Sequence, residues 1–593
     1  YYIKPRKKYL NTRAQLPNTQ LLDFFFFLLR CYDGFIMDKK IDQNTQWFES
    51  FRKTHLYKTF SAHPIAYFCA EYALEKDMPI YAGGLGVLAG DVVREAHDQK
   101  MPMVAIGLYY HKGYTRQSFY TPEQLAKISQ PANLSLKPVK NSSGKVITIK
   151  VPIQDRYVKA VAWLWDKGTI PVYLLDTNVE ENLPEDRLIT EKLYDSNLQT
   201  RLKQEMVLGI GGFRLLQKLG IQPSIYHMNE GHSALLAIEV ASNVAKTLNV
   251  PFDEAVQIAR KNIVFTNHTL VAAGHDNFVD DSVALLLEKY ATEIQIPVSQ
   301  LVSLGLVKGT DVFSMTMLSL RSSGGINAVS KLHAEKAIEI WEKHPMETVT
   351  NGIHLPSWDR VSGDDLMSEH EKNKKKLLAI INKEYRQNWQ EDELLIGWAR
   401  RVVGYKRPLA IFSDIKRIQQ IARKKNKRVN FVFAGLYHSS DKEGISALET
   451  VKKLSETKLK GNLVFMNDYN TELATFLTSG CDIWLNTPVV GFEACGTSGM
   501  KAALNGTINF STKDGWLYEV DMNEIGWEID SAKIKTNIYD ILENEIIPAY
   551  YDDGHATDLW KNKMKNARSV VKDNFSATRM LRDYIEKIYS KLI

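Results

Sequence analysis

Cysteine is scarce in this chain. Four occur in 593 residues, Cys31, Cys69, Cys481 and Cys495, with no CxxC pair and no histidine cluster at metal spacing. That usage excludes a disulfide framework and a zinc site, so no metal is expected and a reducing cytoplasm fits. Long apolar runs are missing too. The longest, "LLDFFFFLL" at 21–29, is broken by Asp23 and too short to cross a bilayer, so no membrane partner is expected. Its length predicts a buried amphipathic helix. Neither sign of charge is in excess: 75 Lys and Arg stand against 69 Asp and Glu, a net charge of +6, and this does not signal a nucleic-acid binder. Internal repeats and low-complexity tracts are absent. The chain starts at Tyr1 rather than Met and is read as trimmed or partial. Its basic start at 1–13 resembles a targeting remnant but has no signal-peptide cleavage pattern.

What remains is an ordinary globular composition, 44% apolar and 24% charged, with ample length for large cores. The second half alternates strands and helices. "ELLIGWA", "VNFVFAGLY", "NLVFMNDY" and "CDIWLNTP" read as strands, and the segments between them show helical spacing, as in Ile411, Ile415, Ile418 and Ala422. The first half is similar with more insertions. "PIAYFCAEYAL", "MPMVAIGLYY" and "SIYHMN" read as strands, a helix begins near Val87, and "VKAVAWLWDKGTIPVYLLDT" reads as a hairpin turning at Lys167-Gly168. This alternation predicts an α/β fold with two Rossmann-like, doubly wound domains facing a central cleft. The expected division is 1–350, 351–575 and a terminal helix over 576–593 that packs back on the first domain, with Ser576 as its N-cap.

In such sheets ligands bind beyond the C-terminal ends of the strands. Two anion sites are predicted there. The first is "GFEACGTSGMKAALNG" at 491–506, where small residues lead from a strand into a helix. Free N–H groups and the positive end of the helix dipole suit a phosphate. Taken alone, Lys501 is most simply a solvated lysine. Beside a phosphate cradle it points to pyridoxal phosphate, which needs both a lysine and a phosphate pocket. The second is "WARRVVGYKRPLAIF", where Arg400, Arg401, Lys406 and Arg407 surround a strand–helix loop. A solvated basic turn is the plain reading; a site for a second dianion is the functional one. The turn "IYAGGLGVLAGD" brings Gly83, Gly84 and Gly86 before a helix, which allows close backbone approach or marks a tight turn. In "FTNHTLVAAGHDNF", His268 and His275 flank small residues, and no nucleophile–histidine pattern accompanies them.

These segments resemble the α-glucan phosphorylase family, the glycogen, starch and maltodextrin phosphorylases. "AGGLGVLAGD", "RLKQE", "NEGHSALLAIE", "TNHT", "INAVSKLHAE", "TNGI", "RRVVGYKR" and "EACGTSGMKAALNG" look like family blocks in family order from about 65 to 517, and "FSATRMLRDYIEKIY" resembles the family's end. The chain is similar to the shorter bacterial-type branch, without the long insertions and regulatory N-terminal extension of the animal enzymes. The resemblance implies a retaining glycosyltransferase of phosphorylase type. It would cleave α-1,4-glucans from the non-reducing end with inorganic phosphate, giving α-glucose 1-phosphate, as a cytoplasmic homodimer.

It also implies pyridoxal 5'-phosphate bound covalently to Lys501, with Thr497, Ser498 and Arg400 on the cofactor phosphate and Tyr469 nearby. Arg401, Lys406 and the Gly84 backbone would hold the substrate phosphate. Glu493, Cys495, Gly496, Asn327 and His275 would contact the glucosyl unit, with His268 the alternative to His275. Cys495 stands where the family commonly has serine. A nucleotide-sugar glycosyltransferase resembling glycogen synthase, and a non-catalytic glucan-binding homologue, are the competing readings; neither needs Lys501.

Overall fold

The computed structural model describes residues 43–75, 78, 80–112, 136–271, 274–341, 344–437, 441–551 and 556–593. The predicted helix at 21–29, the basic start and Cys31 lie outside the described residues.

Two parallel sheets organise the chain. In the first half the strands are β1 (Ile65–Phe68), β2 (Met103–Leu108), β3 (Lys137–Pro138), β4 (Thr148–Ile153), β5 (Arg156–Trp165), β6 (Val172–Asp176), β7 (Ile225–Asn229), β8 (Ile263–Asn267), the short pair β9 (Asn277–Val279) and β10 (Val312–Ser314), then β11 (Gly325–Ala328) and β12 (Glu347–Thr348). In the second half they are β13 (Leu394–Ala399), β14 (Val429–Ala434), β15 (Leu463–Met466), β16 (Ile483–Asn486), β17 (Ile508–Ser511) and β18 (Gly526–Glu528).

The first sheet runs β12-β11-β8-β7-β1-β2-β6-β5-β3, with β4 also on β5. Pairing from β12 to β6 is parallel, and β5 joins antiparallel through the predicted hairpin, Trp165 opposite Val172 and Gly168 at φ +60° in the turn. The second sheet, β15-β14-β13-β16-β17-β18, is parallel throughout. Both are doubly wound. Chain order reverses between β1 and β7 in one and between β13 and β16 in the other, and the crevice at such a reversal is where ligands bind. The unbroken apolar runs follow from burial on both faces: every residue of β1, β2, β13 and β14 is buried.

The terminal helix starts at the predicted cap, with the Ser576 hydroxyl accepting from Arg579 N. Residues Met580, Leu581, Tyr584, Ile588 and Tyr589 enter the core of the first sheet, and Tyr589 Oη sits 2.7 Å from His227 Nδ1 on β7. The chain therefore passes between the units twice at one place. There Ile353 N donates to Phe575 O and Ala577 N to Ile353 O, and a Cβ on Gly352 would lie 2.3 Å from Ser576 O.

Candidate active site

Two loops meet at the reversal point of the second sheet. One follows β13 and carries Arg400, Arg401 and Lys406; the other follows β16 and carries 488–498. Lys406 Nζ lies 3.0 and 3.2 Å from the two carboxylate oxygens of Glu493. Arg400 Nη1 is 3.6 Å from the same carboxylate. Its Nη2 donates to the Asn486 carboxamide and lies 3.5 Å from Ser498 Oγ. Burial, with Arg400 and Arg401 close by, pulls the Lys406 ammonium down to about 8 against the opposing pull of Glu493. Burial pushes the Glu493 carboxyl up, but Lys406 and Arg400 outweigh it and hold it below the usual carboxylate value. Buried Arg400 Nε and Nη1 lack hydrogen-bond partners among the described residues. Desolvated donors of this kind suit an incoming anion. Tyr469 is close enough for Arg400 to oppose the rise that burial imposes on its phenol.

The Glu493 loop is braced by a residue the sequence did not single out. Asp514 Oδ2 accepts from the backbone N–H groups of Gly491 and Glu493, and Oδ1 from Gly515 N. Gly491 turns at φ +87°, a left-handed conformation that favours glycine. A Cβ on Gly496 would lie 2.8 Å from Glu493 Oε1, so the small residue admits the carboxylate.

Lys501 is buried in the helix Ser498–Leu504. Its Nζ lies 3.8 Å from the centre of the Trp358 ring. Burial pulls its ammonium down to about 8, partly offset by Asp91. Trp358 Nε1 donates to both oxygens of Asp91, at 2.9 and 3.0 Å. Asp91 sits on the helix Gly84–Asp98, which starts three residues before the expected Val87, so that Gly83 is its N-cap and Gly84 and Gly86 lie in its first turn rather than before it. Glu71 fixes the glycine turn: its Oε2 accepts from Ala82 N and Gly83 N, and its Oε1 from Tyr194 Oη. A Cβ at Gly83 or Gly84 would meet nothing within 4 Å, so the turn borders open space.

The sugar-site expectations divide. Glu493, Cys495 and Gly496 lie together on the braced loop. Asn327 does not join them. It is fully buried on β11, with its oxygen accepting from Thr266 Oγ1 and its amide facing Ala328 O and Tyr584 Oη, on the face covered by the terminal helix. The carboxamide that reaches the loop is Asn351, from the "TNGI" block: Nδ2 donates to Cys495 O at 3.1 Å, and buried Oδ1 has no partner among the described residues.

His275 makes its contacts with Thr316 and Trp341 rather than with the Glu493 loop. His268 is linked more closely. It follows Asn267, which bonds His333, in the helix whose N-cap Ser330 donates to Ala494 O. Its ring meets Asn229 at 2.6 Å, and burial pulls its pKa down to about 3, which keeps it neutral.

Comparisons with known proteins bear on the same stretch. The family model described as carbohydrate phosphorylase matches residues 355–572, which include both anion loops and Lys501. Maltodextrin phosphorylase of Thermococcus litoralis is 34% identical over 89% of this chain and 71% of its own length. Glycogen phosphorylase of Aquifex aeolicus is 31% identical over 94% of this chain and 91% of its own, and that of Mycobacterium tuberculosis 31% over 89% and 70%.

Proposed function

The chain belongs to the carbohydrate phosphorylase family, and we propose that it cleaves α-1,4-glucans with inorganic phosphate from the non-reducing end to α-glucose 1-phosphate, with retention, using pyridoxal 5'-phosphate held on Lys501. The observation that carries this reading is the environment of Lys501. A buried amine brought down to about 8 is free for covalent attachment near neutral pH, and it lies on the helix whose first residue, Ser498, adjoins Arg400. A solvated surface lysine would have neither property.

The donors fit the group. Arg400, Thr497 and Ser498 would hold the cofactor phosphate, with Tyr469 beside them. That phosphate supplies a proton relay and a charge partner for inorganic phosphate. Lys406, Arg401 and the backbone at Gly84 would hold the substrate phosphate. In its absence Lys406 is paired with Glu493; a bound dianion favours the charged lysine and frees Glu493 to accept from a sugar hydroxyl. The stabilisation is electrostatic and preorganised, since these cations are held before the anion arrives. Asn351, Cys495 and Gly496 would complete the sugar contacts, with the neutral His268 ring beside them, its Nε2–H donating to Asn229 Oδ1 and its Nδ1 left to accept. The open space at Gly84 lets its backbone N–H approach an anion closely.

A cytoplasmic setting accords with Cys69, Cys481 and Cys495 being buried and unpaired, and a homodimer is proposed on the family reading. Among the described residues no helix is long and apolar enough to cross a membrane. One assay tests the function: glucan and phosphate with wild type and Lys501→Ala, following glucose 1-phosphate and bound cofactor together. Wild type should release the ester and carry the chromophore, and the variant should lose both. Wild type without chromophore or ester would favour a nucleotide-sugar transferase; glucan binding without phosphate-dependent turnover would favour a binding homologue.

A further inference from the structure

A cavity of about 440 Å³ opens on the seam between the two units, bordered by Arg94 of the first and by Trp358, Arg360, Lys376, Glu472 and Thr475 of the second. Its lining holds three cations against one carboxylate, Glu472, and nearby Asp91 favours the charged form of Arg94. Arg94 Nη2 donates to Ala73 O and Leu74 O, the Arg360 guanidinium to Asp359 O and Ser357 O, and Lys376 Nζ to the Asn373 carboxamide. Carbonyl and carboxamide acceptors orient a cation but leave its charge uncompensated. Three cations against Glu472 leave the lining net positive, which suits a compact dianion.

One wall leads inward. Trp358 lines the cavity and its ring lies 3.8 Å from Lys501 Nζ, so a single side chain separates this basic vestibule from the buried amine. That side chain is latched by a pair of hydrogen bonds to Asp91 on the opposite unit.

We propose that this seam cavity is a phosphomonoester-binding vestibule, through which pyridoxal 5'-phosphate reaches Lys501, with Trp358 as the inner gate and Arg94, Arg360 and Lys376 as the electrostatic guide. The proposal rests on the cofactor reading of Lys501 and adds a route to it. A charged vestibule raises the local concentration of an anion and speeds its capture, and salt weakens that gain.

The test is the second-order rate at which the cofactor-free full chain takes up pyridoxal 5'-phosphate at low cofactor concentration, followed by near-ultraviolet absorbance and quenching of tryptophan fluorescence. Lys376→Glu reverses one charge at an exposed position and should slow uptake about tenfold at low ionic strength. The deficit should shrink in high salt, final stoichiometry should equal wild type, and Lys376→Arg should restore the rate. Thr475→Trp, which fills the cavity, should slow uptake at any salt concentration. Uptake at the wild-type rate by both Lys376→Glu and Thr475→Trp would overturn the vestibule. A wild-type chain that takes up no cofactor would instead overturn the function proposed above.

Discussion

The Nζ of Lys501 stands 3.8 Å above the centre of the Trp358 ring, in a pocket where Asp91 is the carboxylate that favours its charged form. Burial, with Arg94 adding to it, outweighs Asp91 and leaves the ammonium at about 8. At saturating pyridoxal phosphate, the rate of covalent capture should therefore rise through about pH 8, not near the 10.5 of an ordinary lysine. Asp91→Asn removes the charge that favours the ammonium, so the midpoint should move to lower pH. Stopped-flow absorbance across pH 6 to 11 reads both; a midpoint near 10.5 would contradict this burial argument.

Lys406 pairs with Glu493 and is brought to about 8. Its ammonium is lost as pH rises through that value, so kcat/KM for phosphate, which reports the free enzyme, should fall above about pH 8. Lys406→Ala should lower kcat/KM for phosphate by about 10²–10³-fold, the usual cost of one preorganised charge donor. Steady-state rates against phosphate concentration decide this, and near-normal phosphorolysis in the variant would sink the assignment.

Two asparagines should respond in opposite ways. Asn351→Ala should reduce kcat/KM for glucan with the smaller fall in Tm, because it gives up one buried hydrogen bond, to Cys495 O, and its Oδ1 has no partner to lose. Asn327→Ala should leave the hydroxyls of Thr266 and Tyr584 short of a buried partner, at a cost of about 1–3 kcal/mol. Thermal melts beside kinetics separate the two. Equal loss of activity in both, with no change in Tm, would put Asn327 back in the site.

Asp514 supplies a pH dependence of stability. Burial lifts its carboxyl from 3.8 to about 6, so the folded chain binds more proton than the unfolded one between those values. Its contribution is fully present below the unfolded value and is lost as pH rises through about 6. Urea midpoints should therefore show a downward trend from pH 4 to 7 that flattens in Asp514→Asn. The same variant loses an anionic acceptor for three N–H groups and should raise KM for the sugar through a looser Glu493 loop. An unchanged pH trend would show that Asp514 titrates like an exposed carboxyl.

Much of the architecture was legible because its signals are local. Strands buried on both faces must be apolar throughout, so "LLIGWA" and "VNFVFA" announced β13 and β14. Ser576 announced the last helix because a cap needs only its own first turn. Arg400, Lys406 and Glu493 could be placed together because each lies in the loop after a strand, with Lys501 on the helix that follows the second loop, and a parallel sheet carries such loops to one edge.

The remainder depends on residues far apart in the chain. Asn327 lies on a short strand and Asn351 just beyond one, and nothing beside either says which one faces the Glu493 loop. The helix at 577–584 settles it: from more than two hundred residues downstream Tyr584 meets the Asn327 side chain, while Arg579 holds only the Asn351 carbonyl and the Asn351 amide donates to Cys495 O. His268 and His275 part in the same way, one tied through Asn267 and His333 toward Ala494, the other turned to Trp341. Residue order along the chain thus set the two wound sheets and the chemistry at their edges, since both follow from near-neighbour burial and hydrogen bonding. Which cation is desolvated, which carboxamide reaches the Glu493 loop and why the Lys501 amine lies near 8 came only from tertiary packing, because desolvation is a property of everything within a few ångströms, whatever its place in the sequence.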